Sequence, residues 1–207
     1  MKQLLLSILL LALPMVANAD PVEIGGIYYN LIQKARTAEV TINPNKYSGN
    51  IVIPEEVNYE GIPYDVIAIG LNAFKDCSNM KSIAIPPSVK TIINSAFLGC
   101  KGLLSVHISD LSGWCSIDFK DQASNPLAYA HRLYLNGEEI HDLIIPDDIT
   151  YIKPYSFYQF TGMTSVTIHN NVSRIGYGAF QYCSGLTSVI IPNSVTAIEE
   201  STFYRCI

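Results

Sequence analysis

The chain has 207 residues, of which 49% are apolar and 15% charged, with 13 Gly, 11 Pro and 5 Cys. That composition excludes the disordered and low-complexity classes and allows a well-buried core. Its 13 basic residues against 18 acidic ones leave a net charge of -5 with no basic run, so the counterion release that drives nucleic-acid binding has nothing to act on, and DNA and RNA are excluded as partners.

Residues Met1 to Ala19 begin with one positive charge, Lys2, run through an apolar stretch from Leu4 to Val16 and close on Ala17-Asn18-Ala19. This is the layout of a secretory signal peptide cut after Ala19. The domain reading that follows is 1–19 signal peptide, 20–52 β cap and 53–207 repeat region. The apolar stretch is shorter than the roughly 20 residues a membrane-crossing helix needs, so no transmembrane segment is expected after cleavage. Cleavage leaves Asp20, not a lipid-accepting Cys, at the new N-terminus. The protein is expected to be secreted or on the cell surface, with the periplasm as the alternative.

After the leader, Gly26-Ile27-Tyr28-Tyr29-Asn30-Leu31 and Ala38-Glu39-Val40-Thr41-Ile42 read as strands. Asn58-Tyr59-Glu60-Gly61-Ile62-Pro63 reads as a hairpin with Gly61 in its turn. Together they suit an N-terminal β-hairpin cap over the first open edge of a stack.

From here the chain repeats. Asn72-Ala73-Phe74 and Ser95-Ala96-Phe97, then Tyr155-Ser156-Phe157, Gly178-Ala179-Phe180 and Ser201-Thr202-Phe203, set Phe at a spacing of 23 within each group. Cys77 and Cys100 are followed by Phe160, Cys183 and Cys206, and Ile69 and Ile92 by Ile152, Ile175 and Ile198. Ser82-Ile83-Ala84-Ile85, Ser105-Val106-His107-Ile108, Ser165-Val166-Thr167-Ile168 and Ser188-Val189-Ile190-Ile191 supply a period-two strand in each unit. One such unit cannot bury its apolar set alone, but units stacked roughly 4.8 Å apart form continuous ladders. The expected fold is a β-rich solenoid of about five 23-residue units, with Phe97, Phe157 and Phe180 in its core.

One unit is interrupted, over 109–144. Ile108 and Ile145 are 37 residues apart, 14 more than a unit, and the insertion holds the only Trp, Trp114, with Cys115, Asp118, Phe119, Asp121, His131 and His141. Leu133 to Ile140 carries an Asn136-Gly137 hairpin signal. Insertions in repeats map to one face, often the binding face; Trp114 and Phe119 either line such a site or plug an enlarged coil. The chain stops at Ile207 inside a unit, and the expectation is that it is part of a longer protein.

The pattern Ile-Pro-x-Ser-Val-x-x-Ile-x-x-x-Ala-Phe-x-x-Cys-x-x-Leu-x-Ser-Val is carried by Ile85 to His107 and closely by Ile168 to Ile190. It resembles the BspA-type leucine-rich repeat of bacterial and protozoan surface proteins. The chain departs from that pattern at Phe160 (usually Cys), at Met80 and Met163 (Leu), and at Ser156 and Thr202 (Ala). The resemblance implies a right-handed leucine-rich repeat coil, and a role in adhesion, binding host extracellular-matrix proteins or other cells.

No His-Glu-x-x-His, Gly-x-Ser-x-Gly, phosphate-binding Gly-rich loop or Cys-x-x-Cys occurs. No catalytic, cofactor or metal residues are therefore expected, and the chain is not read as an enzyme. His131 and His141 could approach one another, without a third ligand for zinc; His107 and His169 are expected in solvent. Four of the five cysteines share one core-facing column and are expected as free thiols, leaving Cys115 as the reactive one. The strand face holds Ala84, His107, Thr167 and Ile190 in its outward slots. Tyr151, Tyr155, Tyr158, Tyr177, Tyr182 and Tyr204 stud the turns, where they either cover the coil ends or contact a ligand, since Tyr is enriched in interfaces. The candidate binding surface is this tyrosine set with Trp114 and His107, for a protein ligand. A carbohydrate-binding or envelope-scaffold module, with Trp114 stacked on sugar rings beside Asp118 and Asp121, is the alternative.

Overall fold

The computed structural model describes residues 20–206; the leader peptide read from the sequence lies outside them. Strands β1 (Val22–Ile24), β2 (Ile27–Ile32) and β3 (Thr37–Val40) form an antiparallel meander. β4 (Gly49–Val52) follows, and β5 (Glu56–Tyr59) folds back on β6 (Ile62–Ile69) as the expected hairpin. Its turn puts Glu60 at φ 53° and Gly61 at φ 78°, the left-handed pair that a two-residue hairpin of matching twist requires. β6 then pairs in parallel with β3, and joins the cap to the coils.

Coiling proceeds through β7 (Met80–Ala84), β8 (Thr91–Ile92) and β9 (Ser105–Ile108). β4, β7 and β9 stack in parallel with Ile51, Ile83 and Val106 in one row. The strand face therefore starts inside the stretch assigned to the cap. β6 and β8 stack likewise, Ile69 beside Ile92. Val89, Ile92, Phe97, Cys100 and Val106 are buried, the residues whose periodicity named them as core.

The turn between the two strand rows explains the Ala-Phe-x-x-Cys segment. In successive coils Asn72, Ser95, Tyr155, Gly178 and Ser201 have φ of 56 to 60°, and Asp76, Gly99, Gln159, Tyr182 and Arg205 have φ of 57 to 80°. Each Ala-Phe pair is thus bracketed by two left-handed residues, few of them glycine, a conformation that persists only where the surroundings enforce it. A ladder of backbone bonds does so. Phe74 N–H donates to Ala96 O at 2.8 Å, Phe157 N–H to Ala179 O at 2.8 Å and Phe180 N–H to Thr202 O at 3.0 Å. The rings stack in step, Phe74 on Phe97 at 5.0 Å, and Phe157, Phe180 and Phe203 in a column at 5.4 Å spacing.

The cysteine column complements this ladder. Cys100, Cys183 and Cys206 each donate through Sγ to the carbonyl of the previous coil's Phe, at 3.0 Å from Phe74 O, Phe157 O and Phe180 O. A thiol is small enough for the column and satisfies a buried acceptor there. Where Ala gives way to a hydroxyl the group is also bonded: Ser156 Oγ to Lys153 O at 2.8 Å and Thr202 Oγ1 to Glu199 O at 2.7 Å.

The interrupted unit differs from the expectation of one enlarged coil. Helix α1 (Leu111–Cys115), β10 (Asp118–Phe119), a 3-10 turn (Gln122–Ser124), helix α2 (Leu127–Ala130) and β11 (Leu133–Leu135) make one complete additional coil. Phe119 lies beside Ile92 and Leu133 beside Val106, 27 residues later in each case. β11 then turns at Asn136 (φ 51°) and Gly137 (φ 91°) into antiparallel β12 (Glu138–Glu139). The insertion is a further turn of the solenoid plus a hairpin; the 3-10 turn and α2 replace the Phe and Cys columns and α1 the link between the strands, which erases its periodic signature.

Beyond the hairpin, β13 (Asp142–Ile144), β14 (Tyr151–Ile152), β15 (Ser165–Thr167), β16 (Arg174–Ile175), β17 (Ser188–Ile190) and β18 (Ala197–Ile198) form two fresh parallel rows, β13-β15-β17 and β14-β16-β18. The rows before the hairpin end at β10 and β12. Side chains bridge the seam: Trp114 Nε1 donates to Ser156 O at 3.0 Å, Asn125 Nδ2 to Tyr155 O at 2.7 Å, and Lys153 Nζ to Ser116 O. Phe160 stands at this seam, where α2 takes the place of a Phe turn in the coil before it; volume is needed there instead of a thiol.

Candidate binding surface

The turn edge of the C-terminal coils carries a run of tyrosines in edge-to-face contact. Ring centroids lie 5.6 Å apart for Tyr155 and Tyr177, 5.8 Å for Tyr158 and Tyr182, and 5.7 Å for Tyr182 and Tyr204. Tyr155 and Tyr158 share one coil and Tyr177 and Tyr182 the next, and the contacting pairs lie 22 to 24 residues apart, so the spacing follows that of adjoining coils. Arg205 lies over Tyr182 and Tyr204, at 5.6 and 5.4 Å from their centroids, within cation–π range. Tyr177 and Tyr204 are 36% and 48% exposed, and Tyr182 is half-buried.

Three of the nominated residues do not belong to this edge. Tyr158 is buried, its hydroxyl donating to Gln122 Oε1 at 3.2 Å, because the extra coil packs over it. Tyr151 sits in a different row, bonded to Glu199 Oε1 at 3.2 Å with Arg174 5.1 Å above its ring. Trp114 is 1% exposed and packs against Phe119 at 5.2 Å. It therefore plugs the coil and offers no face to a sugar ring. Helix α1 turns it inward: Asp110 caps the helix by accepting from Ser112 and Gly113 N–H, a start signal readable in Ser109-Asp110-Leu111.

Cys115, on the same helix, is buried too, and burial pushes its thiol up to about 12. That corrects its reading as the reactive cysteine. Cys206 is half-buried, and the neighbouring Cys183 thiol lowers its pKa to about 7, while burial holds Cys183 far above the thiol range. Alkylation of the native chain with iodoacetamide at neutral pH should modify Cys206 first, and Cys115 only after unfolding. Peptide mass mapping checks this; equal labelling of the two in the native chain would be the wrong result.

The strand face carries the other nominated residue. His107 is half-buried, not free in solvent: its Nε2 lies 2.8 Å from Ser105 Oγ and its ring stacks on Tyr134 at 4.9 Å. His169 likewise contacts Pro146 O through Nε2 at 2.6 Å. His131 and His141 turn their Nδ1 atoms to Gln159 O (3.1 Å) and Gly162 O (3.0 Å), which separates their roles. Among the described residues no group of three His, Cys, Asp or Glu could hold a metal ion.

Sequence reasoning passed over two exposed residues of this face. Val52 (69% exposed) and Ile144 (67%) join Ile190 (77%) in outward slots; strand parity with Ile53 and Leu143 inward was the available signal. Two clefts flank the β11–β12 hairpin. One of 410 Å³ is lined by Val52, Pro54, Ala84, Pro86, His107 and Asn136, and one of 460 Å³ by Glu138, Glu139, Ile140, His141 and Asp142. Ser165 Oγ donates to Asp142 at 2.6 Å and Thr164 Oγ1 at 3.2 Å, and these bonds keep its pKa below the usual carboxylate range.

Stacked coils, continuous apolar ladders and exposed edges define a repeat solenoid. The profile described as BspA type Leucine rich repeat region matches residues 50–121 and 128–207 in 6 copies, and the chain belongs to this family. The six copies exceed the five units read from the periodic columns because the additional coil keeps the fold but not the spacing. Similar solved structures include a leucine rich cell surface protein from Faecalibacterium prausnitzii, with 24% identity and a TM-score of 0.61 over 90% of this chain and 52% of that one. A leucine-rich repeat protein from Bacteroides ovatus is similar at 23% identity and a TM-score of 0.54, over 90% and 51% of the two chains. The chain spans about half the length of these two proteins. No curated protein matches its sequence. No helix among the described residues is long and apolar enough to cross a membrane.

Proposed function

We propose that the chain is a non-enzymatic surface protein that binds a protein ligand along the tyrosine edge formed by Tyr177, Tyr182 and Tyr204 with Arg205. The observation that carries this reading is the edge-to-face tyrosine run, with rings 5.7 Å apart at Tyr182 and Tyr204 and a guanidinium over both. Tyr and Arg dominate the energetics of protein interfaces, and a rigid stack presents them with little entropy to lose on binding. Membership of a leucine-rich repeat family supports the same role, and the F. prausnitzii protein is a cell surface protein. Export by the Met1–Ala19 leader brings this chain to the cell surface, where adhesion to host extracellular-matrix proteins is its function.

Immobilised matrix proteins probed with the chain from Asp20 onward test the reading. Wild type should bind saturably, and a Tyr177→Ala/Tyr182→Ala/Tyr204→Ala variant should lose about tenfold or more in affinity with its thermal unfolding little changed. Undiminished binding by the variant would refute the tyrosine edge.

A further inference from the structure

The strand face is open between β12 and β13. Among the described residues β12 pairs with β11 alone and β13 with β15 alone, so one sheet ends where the next begins, with Ile140 and His141 between them. The backbone groups left over can be counted. Leu135 faces Glu138 across the hairpin turn and Ile140 N–H donates to Leu133 O at 2.9 Å; Tyr134 and Glu139 are therefore the non-hydrogen-bonded pair, and Glu139 turns its N–H and C=O away from β11. On the other side Ile145 N–H donates to Thr167 O at 3.0 Å. By alternation Asp142 and Ile144 turn their backbone groups away from β15.

Two free strand edges thus border the 460 Å³ cleft. Natural proteins ordinarily blunt or cover such edges, since each is a template for another strand. Side chains add a preference. Glu138 and Asp142 are exposed carboxylates, and the nearby cation Arg132 is engaged by Glu139 at 3.6 Å. Asp142 and Ile144, two apart, share the outward face of β13, and Ile144 is 67% exposed.

We propose that this break takes up an extended segment of a partner polypeptide as an added strand on the edge of β13. The segment carries a basic residue to meet Asp142 and, two positions along, an aliphatic one to meet Ile144. The outward N–H and C=O of Asp142 and Ile144 supply the pairing, which is the physics of strand addition, with affinity from the main chain and specificity from alternate side chains. Asp142 is held in place for this by Ser165 and Thr164 from the row behind it. The site is separate from the tyrosine edge.

A fluorescent peptide of Lys-Thr-Val-Thr repeats, titrated by anisotropy against the chain from Asp20 onward, tests the assignment. Saturable binding is expected, weakened by salt, absent for the Glu-Thr-Val-Thr analogue, and reduced about tenfold or more by Asp142→Lys. Ile144→Pro removes the outward N–H without touching a bond to β15, and should reduce binding similarly. A backbone N-methylated peptide keeps the side chains and loses the donors, so on wild-type protein it should not bind; this arm does not depend on any variant folding. The triple tyrosine variant should bind the peptide as wild type does, which separates this site from the tyrosine edge. Absence of saturable binding, or binding that survives N-methylation, would overturn strand addition.

Discussion

Phe180→Ala should destabilise the folded chain by about 3 to 5 kcal/mol, and Phe97→Ala by a similar amount, whereas Tyr177→Ala should leave stability nearly unchanged. The Phe180 ring is fully buried between Phe157 and Phe203, 5.4 Å from each. Removing it opens a cavity that the neighbours cannot close, because coil spacing is fixed by the bonds from Phe157 to Ala179 and from Phe180 to Thr202. The cost is therefore transfer plus an unrelaxed cavity. Denaturant unfolding of the three variants is the measurement, and equal, small shifts at all three would defeat the ladder assignment.

The second large effect is expected at the seam. Trp114→Ala should cost about 3 to 5 kcal/mol through lost volume, and Trp114→Phe about 1 to 2 kcal/mol, since it keeps most of the packing against Phe119 but loses the Nε1 bond to Ser156 O, which then accepts from Asn125 Nδ2 alone at 3.1 Å. The location matters as much as the size. In a solenoid each coil is stabilised by its neighbours, so stability is a sum of coil and interface contributions. At this interface side-chain bonds from Trp114 and Asn125 stand in for the strand pairing that β10 and β14 do not make. Weakening it should uncouple the two stacks, and hydrogen exchange should show β15 amides opening apart from those of β9 in Trp114→Ala. A single cooperative opening of both rows in that variant would argue against a seam.

Most of the architecture is legible in the residue pattern because stacking forces one environment on each column. Phe157, Phe180 and Phe203 recur because each ring stacks on the same ring in the adjoining coil, as Phe74 does on Phe97, and the Asn136-Gly137 pair announces its hairpin because few other residues adopt that turn. The additional coil is hidden for the converse reason. Once α1 replaces the Pro-x-Ser-Val link and α2 the Phe turn, Trp114 and Leu127 fill the core at new positions, and a 27-residue coil followed by a hairpin leaves no period to detect. The site was legible in part. Tyr177, Tyr182 and Tyr204 are on the surface their turn positions suggested, but Tyr158 is covered by, and Trp114 buried within, a coil whose existence the spacing concealed. The open edges of β12 and β13 are a property of pairing between distant segments, which no local pattern records.

The thiol column bears on where such a protein can fold. Small exported domains commonly rely on disulfides for stability. Here Cys100, Cys183 and Cys206 act as hydrogen-bond donors to backbone carbonyls, and every described cysteine is free. Coil formation therefore requires neither an oxidant nor a disulfide-shuffling catalyst, and a reducing milieu leaves the stack intact. The same coils can assemble, and keep their shape, in surroundings of either redox poise.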